Sequence, residues 1–104
     1  MNQKQRVIAE LALGHKAKYK GHGNSMYPRI PSGSLVTLEP VTVQDVSVGD
    51  VVFCKVRGTV FLHLVSAIRG TDSKRQVQIS NYSGHVNGWT STVYGRAILV
   101  EKSK

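Results

Sequence analysis

The sequence predicts a mainly β protein: a compact antiparallel barrel or folded sheet carrying one short N-terminal helix. Three observations lead there. Apolar runs of strand length recur after Gly33, punctuated by Gly, Pro, Asp and Asn. Helical periodicity is confined to the N-terminal stretch. A length of 104 residues with 40% hydrophobic content suits a single core, hence one domain over residues 1–104. Within it the sequence divides into a helix (1–14), a basic linker (15–22) and the core (23–101).

The helix spans about residues 3–13, with Val7, Ile8, Leu11 and Ala12 on one face and Gly14 as its stop. It is too short to stand alone in water and must dock on the rest of the chain or on a partner. A helix-turn-helix needs a second helix, which the sequence does not offer. The first strand expected is 34–39, ending at Pro40. Residues 51–56 form a second, nearly all apolar. Arg57-Gly58 is a tight turn into a third strand at 59–68, closing a hairpin. Residues 70–74 are turn formers, and Gln76-Val77-Gln78-Ile79 alternates as a half-buried strand does. The stretch 81–90 is polar, contains Gly84, His85 and two aromatics, and reads as a long loop: an Ω-like surface loop, a groove wall or a contact surface. Trp89 and residues 92–100 return to strand, and 101–104 form a short tail.

The charge is +8, with 14 Lys and Arg against 6 Asp and Glu. Such a balance favours solubility and attracts polyanions, and says nothing about fold. Part of it lies in His15-Lys16-Ala17-Lys18-Tyr19-Lys20-Gly21-His22, readable as a solvated linker, as a nucleic-acid patch, or as a lure for an acidic protein. No motif supports nucleic acid as a partner. No apolar run approaches the roughly 20 residues of a membrane helix, and no secretory signal is visible, so no membrane partner and cytoplasmic residence are expected. The lone Cys54 excludes an internal disulfide and a cysteine-rich metal site, and lies where a small buried hydrophobe belongs. No metal and no cofactor are expected. Asp50, in Val48-Gly49-Asp50-Val51, reads as a turn residue that bonds local amides.

Two residues carry the chemistry. Ser25 sits in Gly23-Asn24-Ser25-Met26-Tyr27-Pro28, where a glycine-flanked loop leaves room for a reacting carbonyl. His63 stands alone among Val60, Phe61, Leu62, Leu64 and Val65, and must satisfy its ring nitrogens somewhere. A serine in a loop is ordinarily a turn residue, and a histidine in an apolar strand ordinarily a satisfied core residue. If the two meet, they make a nucleophile and its base.

Their setting bears on that choice. Gly23-Asn24-Ser25-Met26-Tyr27-Pro28, Gly33-Ser34-Leu35-Val36, Gly49-Asp50-Val51-Val52-Phe53, His63 in the hairpin's second strand, and Tyr94-Gly95-Arg96-Ala97-Ile98-Leu99 follow in this order. Together they resemble the signal-peptidase and LexA-type serine peptidases, over about residues 21–101. The resemblance implies the barrel-like fold, Ser25 as nucleophile and His63 as base. Most members of that superfamily use a lysine where His63 falls; archaeal and endoplasmic-reticulum signal peptidases have histidine there. Those enzymes also carry an arginine after the histidine and an acid after the next strand. Here Leu64 follows His63, and Ile79-Ser80-Asn81-Tyr82-Ser83-Gly84 holds no carboxylate.

The group orienting the imidazole must then be something else. Asn81 is the leading candidate, as an asparagine serves in papain-like proteases, with Ser66, Asp72, Ser80 or a backbone carbonyl as alternatives. The resemblance also implies the Ser25 and Gly23 N–H groups as oxyanion donors, and Gly23, Met26 and Pro28 as the border of a substrate groove. Met26 reads equally well as core filler. Two functions follow. One is a serine peptidase cutting a peptide bond in a partner protein or in itself through Ser25 and His63. The other is a catalytically faded fold that binds an acidic protein or nucleic acid. The resemblance also implies a regulator that forms a homodimer through its C-terminal strand, as SOS-type repressors do, which fits either. Neither a membrane anchor nor a DNA-binding domain is expected, and the resemblance to small stand-alone members implies a phage origin.

Overall fold

The computed structural model describes residues 1–102, which form one N-terminal helix and seven antiparallel strands in a curled, half-barrel sheet. The last two positions of the expected tail lie outside the described residues. Helix α1 (Gln3–Ala12) starts on a reciprocal cap: the Asn2 side chain accepts from Gln5 N at 2.8 Å, and Gln5 Oε1 accepts from Asn2 N at 3.2 Å. Val7 and Leu11 bury its inner face and Ile8 is half-buried, while Ala12 is exposed, contrary to expectation.

The strands are β1 (Ala17–Lys20), β2 (Leu35–Pro40), β3 (Val51–Val56), β4 (Thr59–Arg69), β5 (Gln76–Ser80), β6 (Val86–Thr90) and β7 (Val93–Glu101), ordered β1-β2-β7-β3-β4-β5-β6. β3 is the central strand, and its composition follows from that place. Val51 and Phe53 pack into one apolar cluster with Val7, Leu11, Met26, Ile30 and Val36. Val52, Cys54 and Val56 face a second, with Val43, Val46, Val65, Val77 and Ile79. A strand buried on both faces must be apolar, and the one exception, Lys55, stands at its single exposed position. β4 continues the alternation: Val60, Leu62 and Leu64 pack on the first cluster, Phe61 and Val65 on the second. Arg57 (φ 48°) and Gly58 (φ 84°) make the left-handed turn that joins them.

Two expectations need correction. The basic stretch 15–22 is not a linker: Ala17–Lys20 pairs with β2, burying Ala17 and half-burying Tyr19 while Lys18 and Lys20 point outward. Gln3 fastens that strand to the helix, accepting from Lys20 N at 2.8 Å and donating to Lys20 O at 3.1 Å. The stretch 81–90 is a loop only to His85. β6 then pairs with β5, and its Thr90 hydroxyl donates to Lys55 O at 2.6 Å. Its pattern hides the strand because Gly88 interrupts it. Gly88 sits at φ 141°, where an added Cβ would stand 3.1 Å from a Val56 methyl.

Each sheet junction that curls the fold contains a register shift: β2–β7, β3–β7, β4–β5 and β5–β6. The turn into β3 is held by charge. Arg96 forks onto Glu39 at 3.0 and 3.1 Å and reaches Asp50 at 3.4 Å, while Asp50 also accepts from Ser47 N. Asp50 is thus a turn residue, as its sequence context predicts.

Candidate active site

Residues 21–34 form a closed loop between β1 and β2. Its neck is pinned by Gly33 N donating to Gly21 O at 2.7 Å and Gly21 N to Ser34 O at 3.1 Å. Met26 and Ile30 anchor its far side: both are buried in the first cluster, and Ile30 N donates to Met26 O at 2.8 Å. Between these fixed points Ser25 is left on the surface.

His63 reaches Ser25 from β4. Its Nε2 stands 3.0 Å from Ser25 Oγ, while its Nδ1 stands 2.7 Å from Asn87 Oδ1. His63 is 7% exposed, and its ring stacks on Phe61 with centroids 4.7 Å apart and planes at 24°. An amide oxygen at Nδ1 can only accept, so the ring proton sits on Nδ1 and the Nε2 lone pair faces the serine. Burial pushes the His63 pKa below the usual 6.5; the Asn87 hydrogen bond opposes this, and the charges of Lys4 and His85 add to it. The imidazole is therefore neutral at neutral pH and free to take a proton.

Asn87 is the residue that sequence reasoning missed. β5 and β6 pair Ile79 with Gly88 and Ser80 with Val86, so Asn87 is the extra residue of a β-bulge. Bulges re-aim a side chain, and this one aims an amide at the ring. Asn81, the expected orienting residue, is engaged elsewhere. Its Oδ1 accepts from His85 N at 2.8 Å and Ser83 Oγ at 3.0 Å, closing the tight 81–85 turn. The alternatives also lie off the ring: Ser66 Oγ bonds Gln78, Asp72 is exposed on the short 3-10 turn Asp72–Lys74, and Ser80 pairs opposite Leu64. The 81–85 turn nonetheless serves the site, because Tyr82 N donates to Ser25 O at 2.8 Å. One short segment thus holds the serine's carbonyl and feeds the strand that presents Asn87.

Of the expected oxyanion donors, Gly23 N–H is committed to Ser32 Oγ at 3.0 Å. Ser25 N–H has no acceptor among the described residues. A groove of about 410 Å³ opens beside Ser25 and His63, with Gly23 and Met26 in its lining together with Lys4, Val60, Phe61 and Leu62. Pro28 is exposed and lies outside that lining, since the turn between buried Met26 and Ile30 throws it outward. Cys54 is fully buried, and burial pushes its thiol up to about 12, as befits an inert core residue. Among the described residues no group of His, Cys, Asp and Glu could hold a metal ion, and no helix is long and apolar enough to cross a membrane.

The arrangement can move a proton from a surface hydroxyl to a buried, oriented imidazole beside a groove. Compared with known proteins, the chain matches no family model and no curated sequence.

Proposed function

We propose that the protein is a serine peptidase of the signal-peptidase and LexA-type kind, cutting a peptide bond in a protein or peptide substrate with Ser25 as nucleophile, His63 as base and Asn87 as the residue that orients the ring. The observation that carries this reading is the chain of contacts Ser25 Oγ to Nε2 (3.0 Å) and Nδ1 to Asn87 Oδ1 (2.7 Å) at the edge of a groove. Ser25 Oγ attacks the carbonyl carbon and passes its proton to Nε2. The C–N bond then breaks, the amine leaves with that proton, and an ester remains on Ser25. Water, deprotonated by the same nitrogen, attacks the ester, releasing the acid and restoring the hydroxyl. Ser25 N–H is the donor available to the tetrahedral oxyanion. In Asn87 the orienting group is an amide, which fixes the tautomer without adding a negative charge to stabilise the imidazolium. Modest turnover, suited to a substrate held in a lasting complex, follows from that.

A fluorophosphonate probe tests the reading. Mass addition is expected at Ser25, absent in Ser25→Ala and slowed at least about a hundredfold in His63→Ala. A chain that takes up no probe between about pH 6 and pH 10, where a His base is neutral over most of the range, would be a binding module on a retained fold.

A further inference from the structure

Lys4 projects from α1 into the same groove, and its Nζ donates to Val60 O at 2.9 Å. That carbonyl is available because of the hairpin's geometry. The two-residue turn makes Val56 and Thr59 a hydrogen-bonded pair, so Lys55 and Val60 are a non-bonded pair with Val60's N–H and C=O turned away from β3. Leu62 is turned the same way. β5 covers the other edge of β4 only from Leu64 onward, leaving 60–63 open.

The charge at this edge is unbalanced. Lys4 is partly buried and has no carboxylate within ion-pair distance; the pairs formed are Arg6–Glu10, Lys18–Glu101, Arg96–Glu39 and Arg96–Asp50 among the described residues. No Asp or Glu lines the groove. One carbonyl engages one of the three ammonium donors, leaving a fixed cation with donors to spare beside apolar walls. A partly desolvated charge without a counter-ion is costly, and a ligand carboxylate would offset that cost.

We propose that the groove selects extended peptide segments bearing a Glu or Asp about three residues from the bond seated at Ser25, with Lys4 reading the carboxylate. This rests on the peptidase reading and names its substrate class. The spacing follows from β4, where Val60 and His63 lie three residues apart, about 10 Å along a strand. Peptide is favoured over nucleic acid by what the groove offers. There is one fixed lysine rather than a basic track, and the aromatic rings are engaged: Tyr19 with Phe53 at 5.0 Å and Phe61 with His63 at 4.7 Å.

Binding to the Ser25→Ala protein tests this without requiring turnover. The probes are blocked decapeptides of Ala, Leu and Gly, identical except for a single Glu or Gln. The Glu peptide is expected to bind about tenfold tighter. Lys4→Gln should erase that preference, Lys4→Arg keep it, and Lys4→Glu reverse it toward a Lys peptide. Lys74→Gln, on the Asp72–Lys74 turn, should leave it unchanged and so separates the groove from general positive charge. Equal affinity for Glu and Gln peptides, a preference that survives Lys4→Gln, or one lost equally in Lys74→Gln would overturn the assignment. So would Lys4-dependent binding of a ten-residue oligothymidylate tighter than that of the Glu peptide. Probe labelling of Ser25 is read separately: a Glu preference in a chain that does not label removes the peptidase and leaves the carboxylate site, while labelling without the preference does the opposite.

Discussion

The two halves of β4 share one continuous alternation of apolar side chains and differ in how their edges are used. Residues 64–69 pair with β5, and at Leu64 and Val65 the other edge is engaged too, by Val51 and by backbone bonds of Val65 with Gly49 and Asp50; Val65 is fully buried. Residues 59–63 are bonded to β3 alone. Their open edge meets Lys4, and His63 stands at the boundary between the halves. Completed hydrogen bonding gives rigidity, and the incomplete edge gives access. His63 is placed where a rigid half hands over to an accessible one.

Substitutions can break this contrast. The largest effect is expected at the chemical end. Asn87→Ala should slow probe labelling of Ser25 about a hundredfold with little change in thermal stability, because the ring loses its tautomer and its aim. Asn87→Asp should restore labelling and move its acid limb to higher pH, since a carboxylate favours the protonated ring. In the closed half, Val65→Ala should cost about 2 kcal/mol in denaturant unfolding while leaving the labelling rate of the folded fraction unchanged. An equal loss of both in either variant would mean that the halves are not separable.

The smallest effect concerns pH. His63 has a folded pKa below its ordinary 6.5, so above that value the ring is neutral in both folded and unfolded chains. As pH falls below 6.5 the unfolded chain takes up a proton first. Stability then declines, by at most about 1.4 kcal/mol per pH unit from this group, until the folded pKa is passed. His63→Gln should remove this component from the acid side of the stability curve, and an unaltered curve would count against burial as the cause.

Much of the fold was legible in the sequence because β3, β4 and β5 carry their burial in their own patterns. Ser25 and His63 were legible as candidates, since a serine between turn formers and a histidine inside an apolar strand both break local regularity. Asn87 was not legible. Its role depends on which residue of β6 is left unpaired against β5, a matter of register between strands. Asn81 lies closer to the end of β5 and so looked nearer to the ring, yet its oxygen is consumed within its own turn. Lys4 was hidden for a related reason: a helix docking across the sheet sets its place, and nothing near position 4 signals a groove. β1 escaped because four residues with two lysines look solvated until β2 supplies a partner.

The bulge at Asn87 has an evolutionary consequence. Side chains on a strand alternate, so the amide reaches the ring because of how many residues separate Ser80 from Gly88, and not only because of which residue is present. Drift among Tyr82, Ser83 and His85 leaves that count untouched. A one-residue insertion or deletion in the same segment would turn the amide to the other face while most of the sheet survived. Length, more than composition, is the heritable quantity in this stretch, and a lineage could lose its chemistry through a single indel without losing its fold.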